Sequence, residues 1–181
     1  MDRPGTKPPG RRSTRLRQVK YRGLSFAACL IFLLFHFTAF GQQDSSYLKI
    51  TLPLKGLKQT SGYGWRIHPI TGKLQFHRGI DLAAHHDTVF SMMNGVVTKI
   101  GNDPLIGNFI LIAHTGDVQS LYGHLSVIAV LPEEQVTVGQ PIGITGATGR
   151  VTGEHLHFSI KYHGQELSPL DFLYGMYAMP P

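Results

Sequence analysis

The chain has 181 residues, 42% of them hydrophobic, which is enough for one ordinary domain with a packed core and too few for a second large one. Its formal charge of +6 suggests a nucleic acid or an anionic surface as partner, but eight of the 17 Lys and Arg residues lie in the first 22 positions, opposed only by Asp2. The rest of the chain is close to neutral, which excludes a charge-driven nucleic-acid binder, and the sole cysteine, Cys29, lies in the same leader, which excludes disulfides and thiolate chemistry from everything after it.

Residues 1–41 have the anatomy of an export signal. A basic arm is followed by an apolar run from Leu24 to Phe40, and Ala39 and Gly41 put small residues at both positions that a signal peptidase reads. The expected mature start is near Gln42. The run is only just short of the ~18 apolar residues of a membrane helix, so the alternative is an uncleaved anchor, the chain's one means of membrane association. In both cases the body is expected outside the inner membrane, in the periplasm or cell envelope. A short polar linker over 42–49, a domain over 50–173 and a tail over 174–181 complete the expected organisation.

Within 50–173, Gly and Pro recur between brief β-branched or aromatic runs, the pattern of short strands joined by turns. Strands are expected at 95–100, 108–114, 119–125, 127–131, 141–145 and 155–162, with a single helical turn at 170–174. The predicted class is all-β, a compact antiparallel structure. In the last strand Leu156, Phe158 and Ile160 alternate with His155, His157 and Ser159, so the apolar set can enter the core while the two imidazoles share the other face. Tyr122 and His124 are expected to pair in the same way on their strand.

Nine histidines and no cysteine in the body point to a metal site of nitrogen and oxygen donors. His77 and Asp81 stand four positions apart around Gly79, a residue that lets the backbone turn sharply, and His155-Leu156-His157 adds two imidazoles on one face. Catalytic zinc takes about three such protein ligands and keeps one position open. These two segments can supply the set.

The stretch from Ser61 to Pro169 resembles the lysostaphin-type zinc peptidases of bacterial cell walls. The pieces that carry the resemblance are Ser61-Gly62-Tyr63-Gly64-Trp65-Arg66, His77 to Asp81 running on into Leu82 and Ala83, Tyr122-Gly123-His124-Leu125, Val138 to Gly143, and Thr152 to Phe158, in the family's order. The resemblance implies His77, Asp81 and His157 as zinc ligands, and His124 and His155 as the unligated pair that moves a proton and holds the developing oxyanion. Which of the two does which stays open. It also implies an antiparallel β fold with the metal at the floor of a groove, and peptidoglycan stem peptides and cross-bridges as substrate.

Tyr63, Trp65 and Arg66 are expected along the groove, although a buried Trp65 is an equal alternative. His68 is expected in a loop, with groove contact as the alternative; His114 as a packed turn residue, with a ligand role as the alternative; and His85 and His86, which depart from the family's usual Pro or Gly, in a solvated loop, with an adventitious surface metal site as the alternative. The rival readings are a non-catalytic envelope protein of the same fold, a phosphotransfer or lipoyl carrier domain, and an exported protease for glycine-rich proteins. The bond cut, a glycyl bridge or a D,D cross-link, is not decided by these residues.

Overall fold

A computed structural model describes residues 49–177, so the leader and most of the linker lie outside the described residues. The chain forms β1 (Gln59–Ser61), β2 (Gly64–Ile67), β3 (Leu74–His77), β4 (Ile80–Ala83), β5 (Thr88–Phe90), β6 (Gly95–Asp103), β7 (Gly107–His114), β8 (Val118–Gly123), β9 (Val127–Ile128), β10 (Gln135–Val136), β11 (Pro141–Ile144), β12 (His155–Tyr162) and β13 (Gln165–Leu167). A helix, α1 (Pro169–Tyr177), follows. An eight-stranded sheet runs β1-β4-β12-β8-β7-β6-β10, with β13 paired to β12; β5-β11-β9 form a second sheet and β2-β3 a hairpin of their own. The pairings are antiparallel, and the all-β reading holds.

Two-residue alternation decides which faces β4 and β12 bury. In β12, Leu156, Phe158 and Ile160 are buried. Neighbouring strands add Ile80, Leu82, Tyr122, Ile110 and Ile112 to the same cluster, and Val89 and Ile142 enter it from the smaller sheet. Full burial of each such side chain contributes roughly 1.5–3 kcal/mol. The opposite face of β4 and β12 is thereby left to polar side chains.

The helix is longer than the expected single turn. Ser168 precedes Pro169, which suits the first helical position because its missing N–H has no intrahelical partner there. The Ser168 hydroxyl accepts from Asp171 N at 3.4 Å, its carbonyl accepts from Phe172 N at 3.0 Å, and Leu173 is buried in the core. Those caps and one apolar anchor hold a segment without a sustained helical period.

His114 ends β7 as a packed residue, at the head of a buried polar chain. Its Nδ1–H donates to the Asn94 carbonyl at 2.9 Å, which leaves Nε2 to accept from the Ser120 hydroxyl at 2.7 Å. Ser120 and the Tyr122 hydroxyl are 3.0 Å apart, and that hydroxyl accepts from Met92 N at 2.9 Å. Burial lowers the His114 pKa, against its bond to Asn94, and raises that of Tyr122 to about 12. Since the unfolded histidine titrates near 6.5 and the folded one below it, the unfolded chain binds more protons in that window, and stability falls as pH drops through it. Thermal unfolding should show this slope, reduced in His114→Gln; the remainder comes from His124 and His68, which are shifted in the same direction.

Candidate metal centre

Antiparallel register sets His157 of β12 opposite Asp81 of β4, and His155 opposite Ala83. Opposed residues share one face of a sheet with their Cβ atoms about 5 Å apart. Accordingly His157 Nδ1 lies 2.9 Å from Asp81 Oδ1. His77, the last residue of β3, brings its Nε2 to 3.2 Å from the same oxygen and 3.1 Å from His157 Nδ1. Gly79 permits this approach in a way the sequence does not announce. It takes no left-handed φ; instead, a Cβ there would lie 2.5 Å from the Phe158 carbonyl oxygen and 2.9 Å from His157 Cε1. Close approach, not a sharp turn, is its reason.

The donor set fits a metal ion. His77 Nδ1–H donates to the Gly62 carbonyl at 2.7 Å, which leaves Nε2 with a lone pair aimed at Asp81 and His157. Lone pairs held this close repel one another unless a cation or shared protons lie among them. A tetrahedral ion with bonds of about 2.1 Å spaces its donors by about 3.4 Å, close to the separations found. Burial opposes ionisation of Asp81, but when the His157 and His77 rings are protonated their hydrogen bonds and charge outweigh it, holding the carboxyl well below the usual carboxylate range. Arg66 Nη2 lies 3.5 Å from Asp81 Oδ2, so the guanidinium faces the outer oxygen and leaves Oδ1 to the imidazoles.

Two further imidazoles face this cluster. His155 Nδ1–H donates to the Gly153 carbonyl at 2.9 Å, and its Nε2 stands 3.6 Å from Asp81 Oδ1. His124 Nδ1–H donates to the Thr148 carbonyl at 2.8 Å, and its ring centroid is 4.6 Å from that of His155. Each ring therefore keeps Nε2 as its free, basic nitrogen. Burial drives the His124 pKa down to about 4, reinforced by the neighbouring His155 and His157 and opposed by the Thr148 hydrogen bond. The expected pairing of Tyr122 with His124 is not found. Tyr122 turns into the core opposite Phe158, while His124 takes a φ of 60° just past β8, which breaks the alternation and returns its ring to the polar face.

A groove of about 570 Å³ contains all five residues and is walled by Trp65, Ile70, Leu74, Leu105, Ile106 and Arg150. Arg66 and Trp65 line it. Trp65 is 70% exposed, which removes the buried alternative. Tyr63 is turned away: its hydroxyl donates to the Glu166 carbonyl at 3.1 Å and its ring meets the edge of Phe76, so cross-links to β13 and the hairpin fix it outside the groove wall. His68 both lines the groove and closes its own loop, with Nδ1 accepting from Ile70 N and Thr71 N at 3.2 and 3.3 Å. His85 and His86 are exposed as expected, yet both reach Glu154, a partner not singled out in the sequence.

The sequence model of peptidase family M23 matches residues 75–169, more than half of the chain. The chain belongs to this family. The M23 match spans His77, Asp81, His124, His155 and His157, whereas Tyr63, Trp65 and Arg66 precede it. Similar proteins include the DD-carboxypeptidase/endopeptidase Mpg of Neisseria meningitidis serogroup B, 40% identical over 119 residues, which are 65% of this chain and 27% of Mpg. The peptidoglycan DD-endopeptidase ShyA of Vibrio cholerae is 39% identical over 106 residues, 58% of this chain and 25% of ShyA. The chain thus spans about a quarter of the length of these curated relatives. Among solved structures, a zinc-containing peptidase from Vibrio cholerae superposes with a TM-score of 0.64 at 33% identity, covering 74% of this chain and 41% of the other. The catalytic domain of the antimicrobial peptidase lysostaphin from Staphylococcus simulans gives 0.58 at 30%, covering 65% and 92%. The expected lysostaphin-type fold of an M23 peptidase is therefore found.

Proposed function

We propose that this chain is a zinc-dependent endopeptidase of the cell envelope that hydrolyses peptide cross-links of peptidoglycan. The observation that carries the reading is the convergence of His77 Nε2, Asp81 Oδ1 and His157 Nδ1 within 3.2 Å of one another on the floor of an open groove. Those three residues would hold the ion. Zinc bound there supplies Lewis acidity, lowering the pKa of water and polarising a scissile carbonyl.

The protein's own residues manage the proton. His155 takes it from the attacking water on Nε2, because an imidazolium at that position lies beside the Asp81 carboxylate while His124 is held in a setting that disfavours protonation. His155 then returns the proton to the leaving amine. His124, whose Nδ1–H is committed to Thr148, has no N–H to offer an oxyanion while neutral; it accepts a hydrogen bond from the water and orients it. Trp65, Ile70 and Leu74 supply apolar wall against which a peptide lies, with Arg66 and Arg150 available to carboxylates of the stem.

The names of the relatives Mpg and ShyA support a D,D cross-link as the bond cut. The basic and apolar leader supports export to the periplasm, and no helix of the described residues is long and apolar enough to cross a membrane. Purified sacculi treated with the protein should release soluble peptides whose masses identify the cleaved bond. A chelator should stop release and added zinc restore it; release that continues undiminished with all metal removed would overturn the reading.

A further inference from the structure

We propose that His85, His86 and Glu154 form a second binding site for a transition-metal ion, on the surface and separate from the donor set of His77, Asp81 and His157. The proposal does not rest on the peptidase reading, since none of the three residues belongs to that set. His85 Nδ1 lies 3.0 Å from Glu154 Oε2, and His86 Nδ1 lies 3.1 Å from each Glu154 oxygen. The three donor atoms fall within 4.8 Å of one another. Two imidazoles and one carboxylate suit zinc and its neighbours in the transition series, with water filling the remaining positions.

The backbone brings these donors together against the ordinary geometry of an extended chain, in which consecutive side chains point to opposite faces. His86 takes a φ of 53°, a left-handed conformation uncommon for a residue with a Cβ, and this turns both rings toward one carboxylate. The loop does not need the rings to hold its shape. Asp87 Oδ2 accepts from His85 N at 3.0 Å, Asp87 N donates to Thr145 Oγ1 at 2.9 Å, and Thr145 N donates to the Asp87 carbonyl at 2.9 Å. Glu154 is held too, its Oε1 accepting from His86 N and from Thr145 Oγ1 at 3.1 Å. Among the described residues, Oε2 has only the two imidazoles as partners. With loop and carboxylate both fixed by other bonds, the rings are free to exchange the protons they share with Oε2 for a cation. Their side chains are 91% and 72% exposed, so an ion enters without displacing core.

The test is equilibrium dialysis of the full chain, purified without a histidine tag, against zinc at about pH 7.5, where free imidazoles are unprotonated. Wild type should bind two zinc ions per chain, and the double variant His85→Ala with His86→Asn should bind one; asparagine tolerates the left-handed conformation, so the loop survives. Glu154→Gln, which keeps an oxygen acceptor for His86 N, should likewise bind one. Asp81→Asn should lose the other equivalent and keep this one. A wild-type chain that binds a single zinc, lost in Asp81→Asn, overturns the second site, as does a double variant that still binds two. If Asp81→Asn binds two while the double variant binds one, the surface site stands and the peptidase centre fails.

Discussion

Asp81→Asn is expected to lower peptide release from sacculi by about 10³-fold or more, because the several kcal/mol that a bound metal contributes to the transition state goes with its anionic ligand. Asparagine preserves the side-chain volume but places a neutral amide where His77 Nε2 and His157 Nδ1 now face a carboxylate oxygen at 3.2 and 2.9 Å. An NH2 group cannot coordinate, and an amide oxygen is a poor competitor with water for zinc. The flanking Ile80 and Leu82 stay buried, so the fold should persist. Arg66 loses a partner at 3.5 Å on a partly exposed side chain, a small effect. The measurements are release of soluble peptide, bound zinc and thermal unfolding of the same preparation. Wild-type turnover in this variant would exclude the carboxylate from the mechanism.

His155→Ala should reduce kcat by about 10²–10⁴-fold, the usual contribution of a positioned proton-transfer group, while leaving zinc content and KM nearly unchanged. The ring is fixed through Nδ1 to Gly153 and does not donate to the three-atom cluster, so its removal separates proton transfer from metal binding. A parallel variant, His124→Asn, keeps a residue that tolerates the φ of 60° at that position and should lose less. If the two losses come out reversed, the roles assigned to the two imidazoles exchange. Zinc loss in His155→Ala would instead make that residue a ligand.

Much of the sheet is legible in the sequence because its central strands are β-branched and apolar runs bounded by turn residues. β6, β7, β8 and β12 lie where the apolar pattern puts them, and β12 matches residue for residue. The first strands escape notice for a physical reason. β1 is Gln-Thr-Ser and β2 is exposed at every second residue, so tertiary pairing with β4 and β3, not burial of an apolar face, makes them extended. The donor cluster is legible in part: a four-residue spacing and a His-Leu-His strand are local features, and family resemblance joins them. Glu154 is not, since its partners lie 68 and 69 positions away with no local pattern to connect them. The φ of 60° at His124 is likewise invisible, and it is what defeats the simple alternation drawn from Tyr122.

The register that seats Asp81 against His157 also fixes when the donor set can form. A polypeptide made from its amino end exposes the first half of the centre long before residue 157 emerges. Until the late strand docks alongside its early partner, the pieces are an unassembled tool. A slip of one position would rotate the late imidazole toward the interior and blunt the blade as surely as mutation. On the proposed peptidase reading, hydrolysis would therefore report completed folding, since a nascent or misaligned copy lacks the assembled donor set.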